Sequence, residues 1–413
     1  PFWLKSLLLS PLALVWAFDS NSIRHMAAFA TPHGRSLRIV SKTWAQDRGD
    51  LFDFEADPLA GSSDIHHQAF TVSESMACVR SGANVHLLPR EQVPSSSDSE
   101  FLVSFVRQGA SLWIEQAPDA AAGSLRPSLV VKDLPGGCLQ LRGGETIRLG
   151  CAKVRVRQVV ASGGSPLRPR LRPDGEGPPC WANPEPPEVL AEKPCRICML
   201  DGPNEGDPLV APCSCRGSVE YVHLGCLREW IRVRRNLPSG GEPCSSLVYQ
   251  PLKCDLCKGS YAASVRFGSE TAPLTEVPCV QPPFVVLDVR GRHSGSGGRQ
   301  VHVLSLAGGK LLRLGRAHNC DLRITDASIS RWHASLRVHE GRVLLEDHES
   351  KFGTLVEVQR PIAVETSGPV SVQVGRTVLE FSPALQDAAG PAEAPASPGE
   401  PGARDDDEPA LGA

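Results

Sequence analysis

The sequence predicts a multidomain chain in which a small α+β module, organised on metal ligands, stands beside all-β sandwich structure. Three observations predict it. Seven cysteines and one histidine in metal-ligand spacing are gathered between Cys195 and Cys257. Short apolar runs of period two, broken by polar, Gly-containing turns, fill residues 283–382, and a second set fills 66–160. Stretches rich in Pro, Gly and Ala separate these regions and cannot build a core.

The module reads CRIC (Cys195, Cys198), then fourteen residues to CSC (Cys213, Cys215), then seven to His223. Cys226 follows after two residues, and after a gap of 27 comes CDLC (Cys254, Cys257). Thiolate sulfur and neutral imidazole suit borderline-soft zinc, and short loops place both members of a pair on one ion. Eight ligands in four pairs suffice for two tetrahedral, structural Zn²⁺ sites per chain. Scattered buried or disulfide-bonded cysteines would not fall into tight pairs in this way. After His223, LGCLREWIRVRRN carries Leu224, Leu227 and Ile231 at helical spacing and stops before Pro238-Ser239-Gly240-Gly241. Arg228, Arg232, Arg234 and Arg235 make its exit basic, either as a solvated face or as a dock for an acidic partner.

This stretch resembles a RING-CH domain, the zinc module of a class of ubiquitin ligases. The ligand order is shared with PHD fingers, which bind histone tails, but three features separate the two. Only Ser214 lies between the third and fourth ligands, PCSCRGSVEYVHLGCLREWI follows the RING-CH consensus almost continuously, and Trp230 sits four residues after Cys226. The resemblance implies a cross-brace in which Cys195, Cys198, His223 and Cys226 hold one zinc and Cys213, Cys215, Cys254 and Cys257 the other. It also implies that the module binds a ubiquitin-conjugating enzyme and positions its ubiquitin thioester, with no covalent chemistry and no catalytic residue of its own. Ile197, Trp230 and Leu256 are the expected contact surface.

Residues 283–382 run through FVVLDV, VHVLSL, KLLRL, DLRI, HASLRV, RVLLED, TLVEV, VSVQV and TVLEF, a β-sandwich signature. Their turns carry LGR (314–316), SRWH (330–333) and SKFGT (350–354), which resemble the forkhead-associated (FHA) domain, a phosphothreonine-binding module. Arg316 offers a bidentate fork to phosphate, Ser330 a hydroxyl and Arg331 a second cation. His333 is expected to be a structural hydrogen-bonder. Phe352 stands where the family commonly has an Asn that holds the ligand backbone, while Gly353 and Thr354 remain. In 66–160, ETIRLGCAKVRV (145–156) resembles VSVQVGRTVLEF (370–381), and FVRQGASLWIEQ (105–116) resembles RVHEGRVLLEDH (337–348). The two pairs keep their order, so 66–160 is read as a duplicated, degenerate FHA-like domain.

The 413 residues are enough for two or three domains, and a formal charge of −3 argues against wholesale nucleic-acid binding. Of fourteen cysteines seven are zinc ligands, and most others are isolated, which fits a reducing compartment. Cys244 is a spare ligand or, more simply, a loop thiol. Residues 1–65 are expected to lack fixed structure, and 161–190 to be a Pro/Gly linker into a zinc module spanning 191–262. The tail 383–413 is expected to be disordered and acidic. The apolar run 1–18 contains Lys5 and Pro11 and is short for a bilayer span, Met26 is read as the true start, and no transmembrane helix is expected. The sequence therefore reads as a cytoplasmic and/or nuclear ubiquitin ligase without membrane insertion, using its FHA domain to select phosphothreonine-containing partners. A zinc-stapled adaptor without ligase activity and a PHD-like histone reader are the alternatives.

Overall fold

The computed structural model describes residues 36–384 apart from 47–50, 54–64, 94–98, 110, 117–124, 172–179, 183–186, 235–245, 250–251, 276, 291–299 and 365–368. The apolar run 1–18, Met26, Arg235, Cys244 and nearly all of the acidic tail lie outside the described residues. Period-two runs give strands throughout, and two sandwich cores result. One eleven-stranded sheet runs through both, and a five-stranded sheet packs on each half of it.

The two β regions do not fold one after the other; they exchange strands. The hairpin Thr146–Leu149 and Ala152–Val160 leaves its own region and pairs with Phe284–Arg290, in register Val154↔Val289 and Val156↔Leu287. The hairpin Val370–Val374 and Thr377–Pro383 returns the exchange by pairing with Leu37–Trp44, in register Ile39↔Phe381. Cys138–Gln140 pairs with Arg342–Asp347, and Ile362–Val364 with Ser111–Glu115, in the same reciprocal sense. The two paths cross where Ser128–Val130 runs antiparallel to Thr354–Glu357.

Each core is therefore built from both regions. Ile147, Leu149, Val154 and Val156 lie buried with Val285, Leu287, Leu314 and Leu345. Val372, Leu379 and Phe381 lie buried with Ile39, Leu102, Phe105 and Ile114. Polar locks fix the exchanged strands. Arg157, at a bulge in its strand, donates to the buried Asp288 carboxylate at 2.8 Å, and Lys42 pairs with Glu380. Gly150, at φ +53°, turns the first hairpin so tightly against Ser328 that a Cβ would lie 2.3 Å from its Oγ.

The resemblance of 145–156 to 370–381 is thus a resemblance of two closing hairpins, each completing the other copy. Three expectations are corrected. Leu37–Trp44, in the stretch expected to lack structure, is an internal strand of the large sheet. Within 161–190, Leu171 is buried with Val280 and Phe284, and Cys180–Ala182 pairs in parallel with Ser264–Phe267. The Cys/His module extends past 262, because the hairpin Ser264–Phe267 and Glu270–Pro273 contributes Val265 to its core.

The module is also joined to the second sandwich. Ser246–Tyr249, in the gap between Cys226 and Cys254, adds to the edge strand Gln300–Ser305 in register Leu247↔Val303. Leu247 packs with Phe284, Val286 and Val301 on the outer face of that sheet. A loop between ligands is thereby made part of the sandwich.

Candidate metal centres and the loops of the second sandwich

Two turns of the same shape carry the first and last ligand pairs. In one, the Met199 N–H donates to the Cys195 carbonyl (2.8 Å) and the Cys195 N–H to Leu200 (2.9 Å). In the other, the Lys258 N–H donates to Cys254 (3.0 Å) and the Cys254 N–H to Gly259 (2.9 Å). Met199 and Lys258 both take positive φ, 63° and 60°, which turns the chain back after the second cysteine. Between the pairs, Val222–His223 presents His223, and the helix Leu224–Arg234 presents Cys226. That helix buries Leu224, Leu227 and Ile231 on one stripe, as its spacing predicts, and Asp207 caps it by accepting from the Gly225 N–H at 2.6 Å.

Folding brings the eight residues into two clusters. Cys195, Cys198, His223 and Cys226 form one, Cys213, Cys215, Cys254 and Cys257 the other, with the ligand atoms of each within 4.8 Å of one another. This interleaving comes from the order of the pairs in the chain and ties its ends together. The His223 Nε2–H donates to the Gly202 carbonyl at 2.7 Å, which leaves Nδ1 as the lone-pair donor, 3.3 Å from Cys198 Sγ and 4.0 Å from Cys226 Sγ. Cys215 Sγ lies 3.7 Å from Cys254 Sγ. A tetrahedron with zinc–sulfur arms of about 2.3 Å has edges of about 3.8 Å.

The electrostatics also ask for a cation. Burial works against a Cys195 thiolate, but the N–H groups of Cys198, His223 and Ile197 outweigh it and bring the thiol down to about 6. Cys254 is likewise brought to about 6, burial being outweighed by the Cys257 and Leu256 amides and the Tyr261 hydroxyl. Cys226 and Cys215 are pushed up to about 12, by burial first and then by neighbouring thiols. A dication relieves that conflict, so both donor sets are compatible with zinc. Arg196, between the first two ligands, reaches the other cluster and donates toward Cys213 Sγ at 3.6 Å and to Tyr261 Oη at 3.1 Å.

Ile197 and Leu256 occupy the same position in the two turns and are 42% and 59% exposed. Met199, Leu200 and Val219 are further exposed apolar side chains of the module, which sequence reasoning missed; the first two follow Cys198 directly, and Val219 carries no local signal. Trp230 is half-buried, edge-on to Tyr261 with ring centroids 6.5 Å apart, and Arg234 lies 5.1 Å over its ring. The helix arginines are engaged locally. Arg228 donates to the Pro273 carbonyl at 2.7 Å, Arg232 pairs with Glu229, and Arg234 with Asp255 at 3.0 Å.

In the second sandwich Arg316, Ser330 and Arg331 come together on adjoining loops. The Arg316 N–H donates to the Ser330 carbonyl and the Ala317 N–H to the Arg331 carbonyl, both at 3.1 Å. Gly315 permits this approach, since a Cβ there would lie 2.3 Å from the Arg331 carbonyl oxygen. His333 is fully buried and bridges loops, accepting from the Ser330 N–H at 3.1 Å and donating to Gly353 at 3.2 Å. Burial holds its pKa below the usual histidine value, which suits that neutral tautomer. Thr354 is corrected. It is fully buried, and its hydroxyl donates to Asp347 at 2.5 Å, so it supports the loop and does not face a ligand. Lys351 is the residue sequence reasoning passed over. It is exposed, and its N–H donates to Ser330 Oγ at 3.4 Å. Phe352 is half-buried beside it.

With this geometry in view, comparison with known proteins is informative. Residues 195–257 match the RING-variant domain. Residues 312–378 match the FHA domain. Over 64 residues the chain is 36% identical to the probable E3 ubiquitin-protein ligase MARCHF10 of Rattus norvegicus, covering 16% of this chain and 7% of that protein. It is 34% identical over 64 residues to the E3 ubiquitin-protein ligase MARCHF7 of Pongo abelii, 16% and 8% of the two chains. For MARCHF8 of Xenopus tropicalis the figures are 39% over 72 residues, 17% and 21%. The chain thus spans about a fifth or less of the length of these relatives. The matched FHA stretch stops short of the exchanged strands 138–160 that close its core.

One expectation is overturned by these matches. A cytoplasmic and/or nuclear location was expected, whereas the relatives are MARCH ligases, a membrane-associated group. Among the described residues no helix is long and apolar enough to cross a membrane.

Proposed function

We propose that the chain is a RING-variant ubiquitin ligase whose FHA domain recruits phosphothreonine-containing partners. The observation that carries the reading is the pair of interleaved Cys/His clusters within a stretch that matches the RING-variant domain. Cys195, Cys198, His223 and Cys226 would hold one Zn²⁺, and Cys213, Cys215, Cys254 and Cys257 a second. Zinc supplies structural cross-links here. Ile197 and Leu256, at matching positions in two rigid turns with Trp230 on the adjoining helix, would form the apolar surface for a ubiquitin-conjugating enzyme. Rate enhancement would come from restraining the thioester conjugate for attack by a substrate lysine.

An autoubiquitination assay across a panel of conjugating enzymes tests the ligase. Ile197→Ala is expected to keep both zinc ions and lose transfer by at least tenfold, since truncating an interface anchor commonly costs about 2 kcal/mol. Cys198→Ser is expected to lose metal and fold together. No transfer with any enzyme would leave the adaptor reading.

The FHA half is tested by calorimetric titration of the whole chain with a degenerate phosphothreonine peptide library. Phosphate near −2 charge would meet Arg316 and Arg331, with Ser330 as a neutral donor. Arg316→Ala is expected to weaken binding by tenfold or more, because a hydrogen bond to a charged group contributes about 1.5–3 kcal/mol. Ser330→Ala is expected to weaken it less. Equal affinity for unphosphorylated peptides would remove the recruitment role.

A further inference from the structure

Lys351 sits on the rim of the phosphopeptide loops, and its partner comes from the N-terminal part of the chain. Its ammonium lies 3.0 Å from Asp53 Oδ2 and 5.8 Å from the Phe352 ring centroid. Its backbone N–H donates to Ser330 Oγ and the backbone N–H of Arg316 to the Ser330 carbonyl, so the loops that carry Lys351 and Arg316 both adjoin Ser330. Both members of the ion pair are anchored. Phe52, preceding Asp53, is 1% exposed and its ring lies 4.5 Å from that of Trp44. Lys351 follows Ser350, whose N–H and hydroxyl both donate to Asp347, at 3.0 and 2.5 Å. The side chains themselves stay open to solvent, 54% exposed for Lys351 and 34% for Asp53.

We propose that Asp53 is a built-in competitor for the phosphate of the ligand. Its carboxylate occupies Lys351, and a phosphothreonine peptide displaces it to recruit Lys351 beside Arg316. The proposal rests on the phosphopeptide reading above. A dianionic phosphate attracts the ammonium more strongly than a carboxylate does, while a carboxylate left beside the site repels that phosphate. An exposed ion pair is weak, as a displaceable contact requires. Asp53 lies in the short segment 51–53, which the ion pair holds against a loop of the second sandwich, so ligand binding would loosen that segment from its contact.

The test is titration of the whole chain and of its variants with the phosphothreonine peptide library, at low and high salt. Asp53→Asn is expected to bind about two- to fivefold more tightly than the unsubstituted chain, the range an exposed ion pair provides. The gain is expected to shrink at about 0.5 M salt, where screening acts over a few ångströms. In a Lys351→Ala background, the gain from Asp53→Asn is expected to fall to the small part that comes from relieved repulsion, a dependence on Lys351 that a merely structural role for Asp53 would not produce. Equal or weaker binding by Asp53→Asn, or the same gain without Lys351, overturns the proposal while leaving phosphopeptide binding intact. Binding by Asp53→Asn alone supports it as a complete block. No binding by any variant sinks both readings.

Discussion

A fragment of residues 280–385, cut to include the whole FHA match, is expected not to fold into a stable monomer. It lacks Val131, Leu141, Ile147, Leu149, Ala152, Val154 and Val156, seven of the 22 residues buried in the second core among the described residues. Burying one such aliphatic side chain contributes about 1.5–3 kcal/mol, so losing the six larger ones, about 9–18 kcal/mol together, is as large as the roughly 5–15 kcal/mol by which domains are commonly stable. The fragment also leaves Phe284–Arg290 without Ala152–Val160, exposing an apolar sheet edge that invites aggregation. It retains Val370–Val374 and Thr377–Pro383, whose apolar face is made for Ile39, Phe105 and Ile114. Thermal unfolding and light scattering would show a broad, non-cooperative transition or association. A fragment of 128–384 is expected to restore the second core. A monomeric 280–385 fragment as stable as the whole chain would mean that its own hairpin had closed the sandwich and that the exchange is dispensable. Within the whole chain, Ile147→Ala is expected to cost about 2–5 kcal/mol, felt in the second sandwich although residue 147 lies far outside the FHA match.

Removing metal from the reduced chain is expected to unfold residues 195–257 while both sandwich cores persist. Structural zinc contributes about 10–16 kcal/mol of apparent binding free energy in small modules. The core of this module is small, and it ends in cysteines that repel one another once charged. No candidate ligand belongs to either sandwich core, so neither depends on metal. The boundary is where the fold adds something. Ser246–Tyr249 lies between Cys226 and Cys254 but pairs with Gln300–Ser305, so a chelator is expected to deprotect 246–249 and to expose the outer edge of 300–305. Hydrogen exchange with mass spectrometry would read both effects, and elemental analysis is expected to give two zinc per chain. One zinc or none in reduced protein, or persistent protection of 195–257 without metal, would remove the cross-brace.

Local pattern was enough to determine much of this protein. The pairing of the eight Cys/His residues, the two equivalent CxxC turns, the helix stripe of Leu224, Leu227 and Ile231, and the strand runs all depend on residues a few positions apart. The motifs that carry Arg316, Ser330 and Arg331 were local too, and folding places them on adjoining loops. Tertiary structure alone decided which strand completes which sandwich. Hairpins 145–156 and 370–381 present the same alternation, so either fits either core, and period two carries no address. It also decided the pairing of Ser246–Tyr249 with Gln300–Ser305 and of Leu37–Trp44 with Thr377–Pro383, more than fifty and three hundred residues away. Thr354 changed role, and Lys351 escaped notice, for the same reason. Whether a side chain at a loop end faces a ligand or an internal aspartate is set by packing around Asp347 and by Asp53, which no local spacing records.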